Sequence, residues 1–327
     1  MKQVKDIYCD LGFWNNLSSF FHTFRISPDP IERKHNQIIL DWYDLFCRSN
    51  LCFDCKEEDF ITAVQKDDYL SQIWKCSTDG RCELNFTQEA MSAVYKEPNK
   101  MESEMYNALY LTETNNEDFA NKVGVISIHN DNLFEHNELF SDEGPAIQQN
   151  KNKNINWEII LNNSRVKHNC NAMVIADNYI FKKKEENLYK ILETLLPSSL
   201  DTLFYLTIFS LNEGSENNLD ERKNALKIKI EEIRPNLNIV IEVFDNRKND
   251  FHDRAIITNY MWLGIGAGFD LIDKRKSDKS TELHAIFPMI ISEDRIRWSK
   301  ERYHIFIDDA KKCLRIRNKL SENRLLK

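Results

Sequence analysis

Residues 171–265 carry the pattern that most limits the fold. Short runs rich in β-branched and aromatic residues alternate there with longer segments whose apolar positions recur at helical spacing. NAMVIADNYIF reads as a strand ending near Asp177 and Tyr179, KKEENLYKILETLLP as an amphipathic helix stopped by Pro197, and DTLFYLTIFSL as a second strand. LDERKNALKIKIEEIRP is another helix, ended by Pro235, and NIVIEVFDN is a third strand. This alternation predicts a mainly parallel sheet flanked by helices, with functional groups near the carboxyl ends of its strands. AIITNYMWLGIGAGF then reads as two further β segments, and TELHAIFPMI as a last strand before a basic amphipathic helix.

At 327 residues the chain is long enough for two domains. FSDEGPAIQQNKNKNIN, residues 140–156, is the stretch too poor in apolar residues to order itself, and it places a boundary near residue 150. The expected division is an α/β protein with a mixed, helix-rich domain over 1–150 and a second domain over 151–327. A net charge of -8 with interspersed signs excludes a global basic field. A local cationic patch remains, because Arg295, Arg297, Lys300, Arg302, Lys311, Lys312, Arg315, Arg317 and Lys319 crowd the C-terminal helix, whose Leu314 and Ile316 are expected to pack inward. No apolar run is long enough to cross a bilayer, and MKQVKDIYCDLGFW lacks the core of a signal peptide, so a cytoplasmic location is expected.

Residues 251–272, FHDRAIITNYMWLGIGAGFDLI, hold three of the chain's eight glycines after a His-x-Arg-x4-Asn run. His252, Arg254 and Asn259 are expected around one pocket, with Gly264, Gly266 and Gly268 letting backbone approach backbone or ligand. The spacing resembles a degenerate form of the phospholipase D signature, in which His-x-Lys-x4-Asp precedes a Gly/Ser run. A closer resemblance, over about residues 171–272, is to the phospholipase D-like C-terminal domain of MIT-domain trafficking proteins. ADNYI matches its first strand end, ENLYKILETLL the following helix, LTIFSLNEGSE the second strand and acidic loop, and HDRAIITNYMWLGIGAGFD its His-Asp-Arg and glycine pattern. Asn178 stands where that family has Pro, Ala267-Gly268-Phe269 stands where it has Arg-Gly-Leu, and no MIT-type three-helix module precedes the match.

The resemblance implies a phospholipase D-like domain that keeps the fold without the esterase chemistry. Arg254 in the lysine position keeps a cation able to grip a phosphate bidentately, whereas Asn259 replaces the carboxylate that would orient a catalytic imidazole. The chain has no second copy of the motif, so catalysis by His252 would require a homodimer pairing two such residues.

The N-terminal half opens with a short apolar run ending at Asp10 and followed by helical spacing, which is how PIN-like metal-dependent nucleases begin. Asp10 as a helix N-cap is the alternative, and Asp41, Asp44, Asp118 and Asp131 are candidate partners for magnesium. IERKHNQIILDWYDLFCRS and EDFITAVQKDDYLSQIWKC read as helices, STDGR as a hairpin turn at Gly80, and NKVGVISIH as a strand. Among the eight cysteines, Cys52, Cys55, Cys76 and Cys82 have a spacing that could surround a zinc ion, or else they are small buried hydrophobes.

Together these readings point to a prokaryotic-type accessory or effector protein that recognises a phosphate-bearing ligand, with nucleic acid favoured over lipid. The other classes are a homodimeric phosphodiesterase using His252, a PIN-like nuclease in the first domain, and a scaffold that binds a protein partner.

Overall fold

The computed structural model describes residues 6–14, 17–18, 30–87, 101, 104–134, 168–183, 185–211, 217–246, 254–265, 283–286 and 297–327. The described residues up to Phe134 belong to one compact unit and those from His168 onward to another. The boundary expected near residue 150 lies outside the described residues.

In the first unit, β1 (Asp6–Cys9), β2 (Asn50–Phe53), β3 (Glu83–Phe86), β4 (Leu109–Thr112) and β5 (Ile126–His129) form a sheet in the order β3-β2-β1-β4-β5. Every pairing is parallel. The connections carry α1 (Pro30–Phe46), α2 (Glu57–Val64), α3 (Asp68–Thr78) and α4 (Glu117–Val123). β4 and β5 are buried along their whole length, as befits parallel strands covered on both faces. Aromatic side chains fill the space beside the sheet: Trp14 lies 4.5 Å from Phe46, 5.5 Å from Phe53 and 5.8 Å from Tyr69, centroid to centroid. Each such ring removed from water contributes about 1.5–3 kcal/mol before its entropy cost is set against it.

Two readings of this half are corrected. The helix expected across EDFITAVQKDDYLSQIWKC is two, because Asp67 takes an extended conformation and its side chain accepts the Leu70 N–H, starting α3 afresh. Gly80 is not a hairpin tip. At φ +72° it ends α3, with its N–H donated to the Ser77 carbonyl and that of Arg81 to the Cys76 carbonyl.

In the second unit, β6 (Ala172–Ala176), β7 (Phe204–Ser210), β8 (Ile239–Asp245), β9 (Arg254–Thr258), β10 (Trp262–Ile265) and β11 (Leu283–Ile286) are ordered β11-β10-β9-β6-β7-β8. α5 (Ile180–Lys183) and α6 (Glu185–Leu195) follow β6, α7 (Asn217–Ile233) joins β7 to β8, and α8 (Arg297–Ile316) comes last. This sheet is mixed rather than mainly parallel. β6, β7 and β8 are parallel, whereas β9 pairs antiparallel with β6, and β10 and β11 continue in antiparallel fashion. The reason is chain length: residues 246–253 are too few for the crossover of a dozen or more that a parallel return requires.

One face of this sheet, carrying Met173, Ile175, Leu206, Ile208, Ile241 and Ile256, packs on Leu188, Ile191 and Leu192 of α6 and on Leu226 and Ile230 of α7. In α8, Phe306, Ala310, Cys313 and Leu314 are buried at helical spacing, but Ile316, expected to pack inward, is 55% exposed.

Candidate functional site

The carboxyl ends of β6, β7 and β8 meet the amino end of β9, because β9 runs the other way. The registers Ala176↔Ala255, Ala176↔Phe209 and Ser210↔Asp245 put Arg254, Asp177, Ser210 and Asp245 in one row, one step beyond the apolar ladder. Alternate residues share a face, so this row continues the face that bears Ile256, Ile175, Ile208 and Val243.

Asp177 organises the row. Its side chain is fully buried, its Oδ1 accepts the Tyr179 N–H at 2.8 Å, and the same oxygen lies 3.6 Å from Arg254 Nε. The guanidinium stands 5.6 Å from the centroid of the Tyr179 ring, a cation–π contact. Asn246 Nδ2 donates to Asn178 Oδ1 at 2.6 Å, and the Leu211 N–H donates to the Asn178 carbonyl, which locks the ends of β6, β7 and β8 together. Ser210 Oγ is buried with no hydrogen-bond partner among the described residues. Arg254 therefore has a carboxylate behind it, an aromatic ring beside it and a side chain that still reaches solvent, an arrangement suited to gripping an anion.

The structure does not bring Asn259 to this edge. It follows the far end of β9, about 16 Å from Arg254 at the usual strand rise. There its Oδ1 accepts the N–H groups of Asn171 (3.0 Å) and Ala172 (2.9 Å), and its Nδ2 donates to Asn171 Oδ1 (3.2 Å), so the carboxamide anchors the start of β6. Gly264 is in the hairpin partner strand, where a Cβ would run into the Trp262 indole, so close packing accounts for this glycine. His252, Gly266 and Gly268 lie outside the described residues.

The first unit has a polar row of its own. By register, Thr87, Asp54, Asp10, Thr112 and His129 are the first residues past the apolar parts of β3, β2, β1, β4 and β5. The strand order reverses between β1 and β4, and in open α/β sheets that crevice is where ligands bind. Asp10 stands there. Its Oδ1 accepts the Phe13 N–H at 2.9 Å, the cap anticipated for it, and its two oxygens also accept the Glu113 N–H at 3.0 and 2.9 Å. The Glu113 carboxylate lies over Gly12, at a place where any Cβ would collide with it. Glu113 was not among the anticipated partners. Asp41 and Asp44 are instead on α1, where Asp41 accepts from Gln37 and Asp44 pairs with Arg48 just past the helix, Asp118 on α4 pairs with Lys122, and Asp131 lies 4.0 Å from His129 Nδ1. A signal for Glu113 existed in the apolar run LYLT that precedes it, since acids just past such runs reach a parallel sheet's carboxyl edge.

Burial pushes the Asp10 carboxyl above its ordinary value of 3.8, and the Glu113 charge adds to the rise against two backbone hydrogen bonds that oppose it. A carboxyl raised by folding contributes stability only below its ordinary pKa, and that contribution is lost as pH climbs through the folded value. Ionised Asp10 therefore opposes folding at neutral pH. Asp10→Asn, which keeps an acceptor for Phe13 and Glu113 and sheds the charge, is expected to raise the thermal midpoint. Asp10→Ala, which loses the cap, is expected to cost about 1 kcal/mol in urea titrations.

The four cysteines considered for zinc are divided. Cys76 on α3 has its Sγ 2.7 Å from Cys47 Sγ and 3.3 Å from Tyr43 Oη, Cys52 is buried in β2, Cys55 is half-buried after it, and Cys82 directs its Sγ to the Ile73 carbonyl. Among the described residues no group of three or more His, Cys, Asp or Glu side chains is placed to hold a metal ion. Burial pushes Cys52 and Cys55 up to about 11 and Cys82 up to about 12, from an ordinary 9.0. The folded chain thus holds these protons more tightly than the unfolded one. Their contribution is complete below pH 9.0 and lost as pH rises through the folded values, so the urea midpoint of this unit should fall steadily between about pH 9 and about pH 12.

No protein-family model matches the chain, and no curated protein matches it. Among the described residues no helix is long and apolar enough to cross a membrane.

Proposed function

We propose that the protein is an accessory or effector protein whose second unit, a phospholipase D-like domain, recognises a phosphate-bearing ligand, namely nucleic acid, through Arg254. The observation that carries this reading is the Arg254 side chain, paired from behind by buried Asp177 and still partly open to solvent at the carboxyl edge of the sheet. A guanidinium held this way loses little further freedom when it meets a phosphate, which is how an anchored arginine gains affinity. In this reading no bond is broken. The test is a fluorescence-anisotropy titration of a labelled single-stranded oligonucleotide, with EDTA present. Arg254→Ala should weaken binding about tenfold or more, and inorganic phosphate should compete. Unchanged affinity in the variant would show that the ligand is not held there.

A second reading, a magnesium-dependent nuclease in the first unit, is favoured by Asp10 and Glu113 standing where the parallel strand order reverses. It is tested by cleavage of the same oligonucleotides with magnesium. Activity that disappears in Asp10→Asn and survives in Arg254→Ala would support it; activity indifferent to Asp10 would sink it.

A further inference from the structure

We infer that the ligand at the Arg254 edge is single-stranded nucleic acid, one unpaired base stacking on Tyr179 while Arg254 takes an adjoining phosphodiester. This rests on the phosphate reading above and names its substrate class. Tyr179 is 41% exposed, although the next two residues, Ile180 and Phe181, are buried in the core of the unit. The ring is not loosely placed. Its backbone N–H is tied to Asp177 Oδ1, and the turn it belongs to is held by Asn178 to Leu211 and Asn246. One buried carboxylate therefore fixes both a cation and an outward-facing aromatic ring, 5.6 Å apart. Aromatic rings beside cations are the usual platform for unpaired bases, because every base has a π-face and every nucleotide brings a phosphate next to it.

Charge narrows the ligand further. Among the described residues of the row, Arg254 is paired with Asp177 and Asp245 is level with both, so these residues offer no surplus of positive charge. A terminal phosphomonoester, close to a dianion at neutral pH, suits it poorly. An internal phosphodiester with one negative charge suits it better, with stacking supplying affinity that salt does not screen. Duplexes are disfavoured, since their bases are already stacked and paired and offer no face to Tyr179.

The full chain is titrated with a labelled short oligothymidylate, oligouridylate, an abasic strand of equal phosphate number and a duplex of equal length. The expected result is binding of one or both base-bearing single strands, with the abasic strand and the duplex weaker by about tenfold or more. Tyr179→Ala should lose about tenfold and Tyr179→Phe should not, with folding of both checked by circular dichroism. The logarithm of affinity should fall with that of salt with a slope of only about -0.7, the value for one phosphate on a single strand. If the abasic strand or the duplex binds as well as the single strands, or Tyr179→Ala is silent while Arg254→Ala weakens binding, the stacking inference is wrong and the phosphate reading stands. If Arg254→Ala is silent, or none of the four probes binds, both are wrong. The abasic and duplex arms need no variant, so a variant that fails to fold does not decide the matter.

Discussion

Trp14→Ala should cost the first unit about 3–5 kcal/mol, enough to unfold a unit of ordinary stability under mild denaturant. The indole is fully buried and lies among Phe13, Phe46, Phe53 and Tyr69, so truncation removes one wall from several aromatic contacts at once. A cavity that size cannot be closed by neighbours attached to β2, α1 and α3, each fixed by its own backbone ladder. The consequence reaches the polar edge. Trp14 lies in the helical stretch that begins at residue 11 and whose first turn Asp10 caps, and it pins to the core the segment that brings Gly12 under Glu113. Urea unfolding followed by near-ultraviolet circular dichroism measures the loss, and a change below about 1 kcal/mol would mean that the aromatic cluster is not what holds β1 in place.

What the sequence made legible, and what it hid, follows from where each signal resides. The second unit could be read element by element because β7 and β8 are long and α6 and α7 are bounded by Pro197 and Pro235. The first unit has strands of four residues, and β2, β3 and β4 were not seen at all: NLCF, ELNF and LYLT are too short for periodicity to register. Strand direction was misjudged at β9 because the pattern of apolar runs does not encode it; the eight-residue connection does. At the candidate site the structure places Arg254 at the carboxyl edge of the sheet, beside buried Asp177. Asn259 was wrongly grouped with it, because spacing along a strand says nothing about which end of the sheet a side chain serves. In sequence Asp177 and Tyr179 read only as a strand end, since their relation to Arg254 depends on an antiparallel pairing with a strand far later in the chain.

The C-terminal residues hold the largest effect that sequence alone did not announce. Asn323 is fully buried, and its Nδ2 donates to the Met173 carbonyl at 3.0 Å, to Thr207 Oγ1 at 3.0 Å and, at 3.4 Å, to the Tyr205 carbonyl. Beside it Glu242 accepts the Glu322 N–H at 2.8 Å and the hydroxyls of Thr207 and Ser321. The tail after α8 therefore clamps β6, β7 and β8 from the face opposite the one that continues into Arg254, Asp177, Ser210 and Asp245. Asn323→Ala should cost about 2–4 kcal/mol, from lost hydrogen bonds and an unfilled site. Asn323→Asp should cost more, although the side chain is nearly the same size, because the buried carboxylate oxygen standing in place of Nδ2 would face the carbonyl oxygens of Met173 and Tyr205. Thermal and urea unfolding of the three proteins gives the ranking. If Asp proves milder than Ala, the polar clamp is not what matters and packing of the tail is. If the ranking holds, amide exchange in β6 and β7 should rise in both variants, and single-strand binding should weaken with it, since the row that carries Arg254 is only as well placed as the strands beneath it.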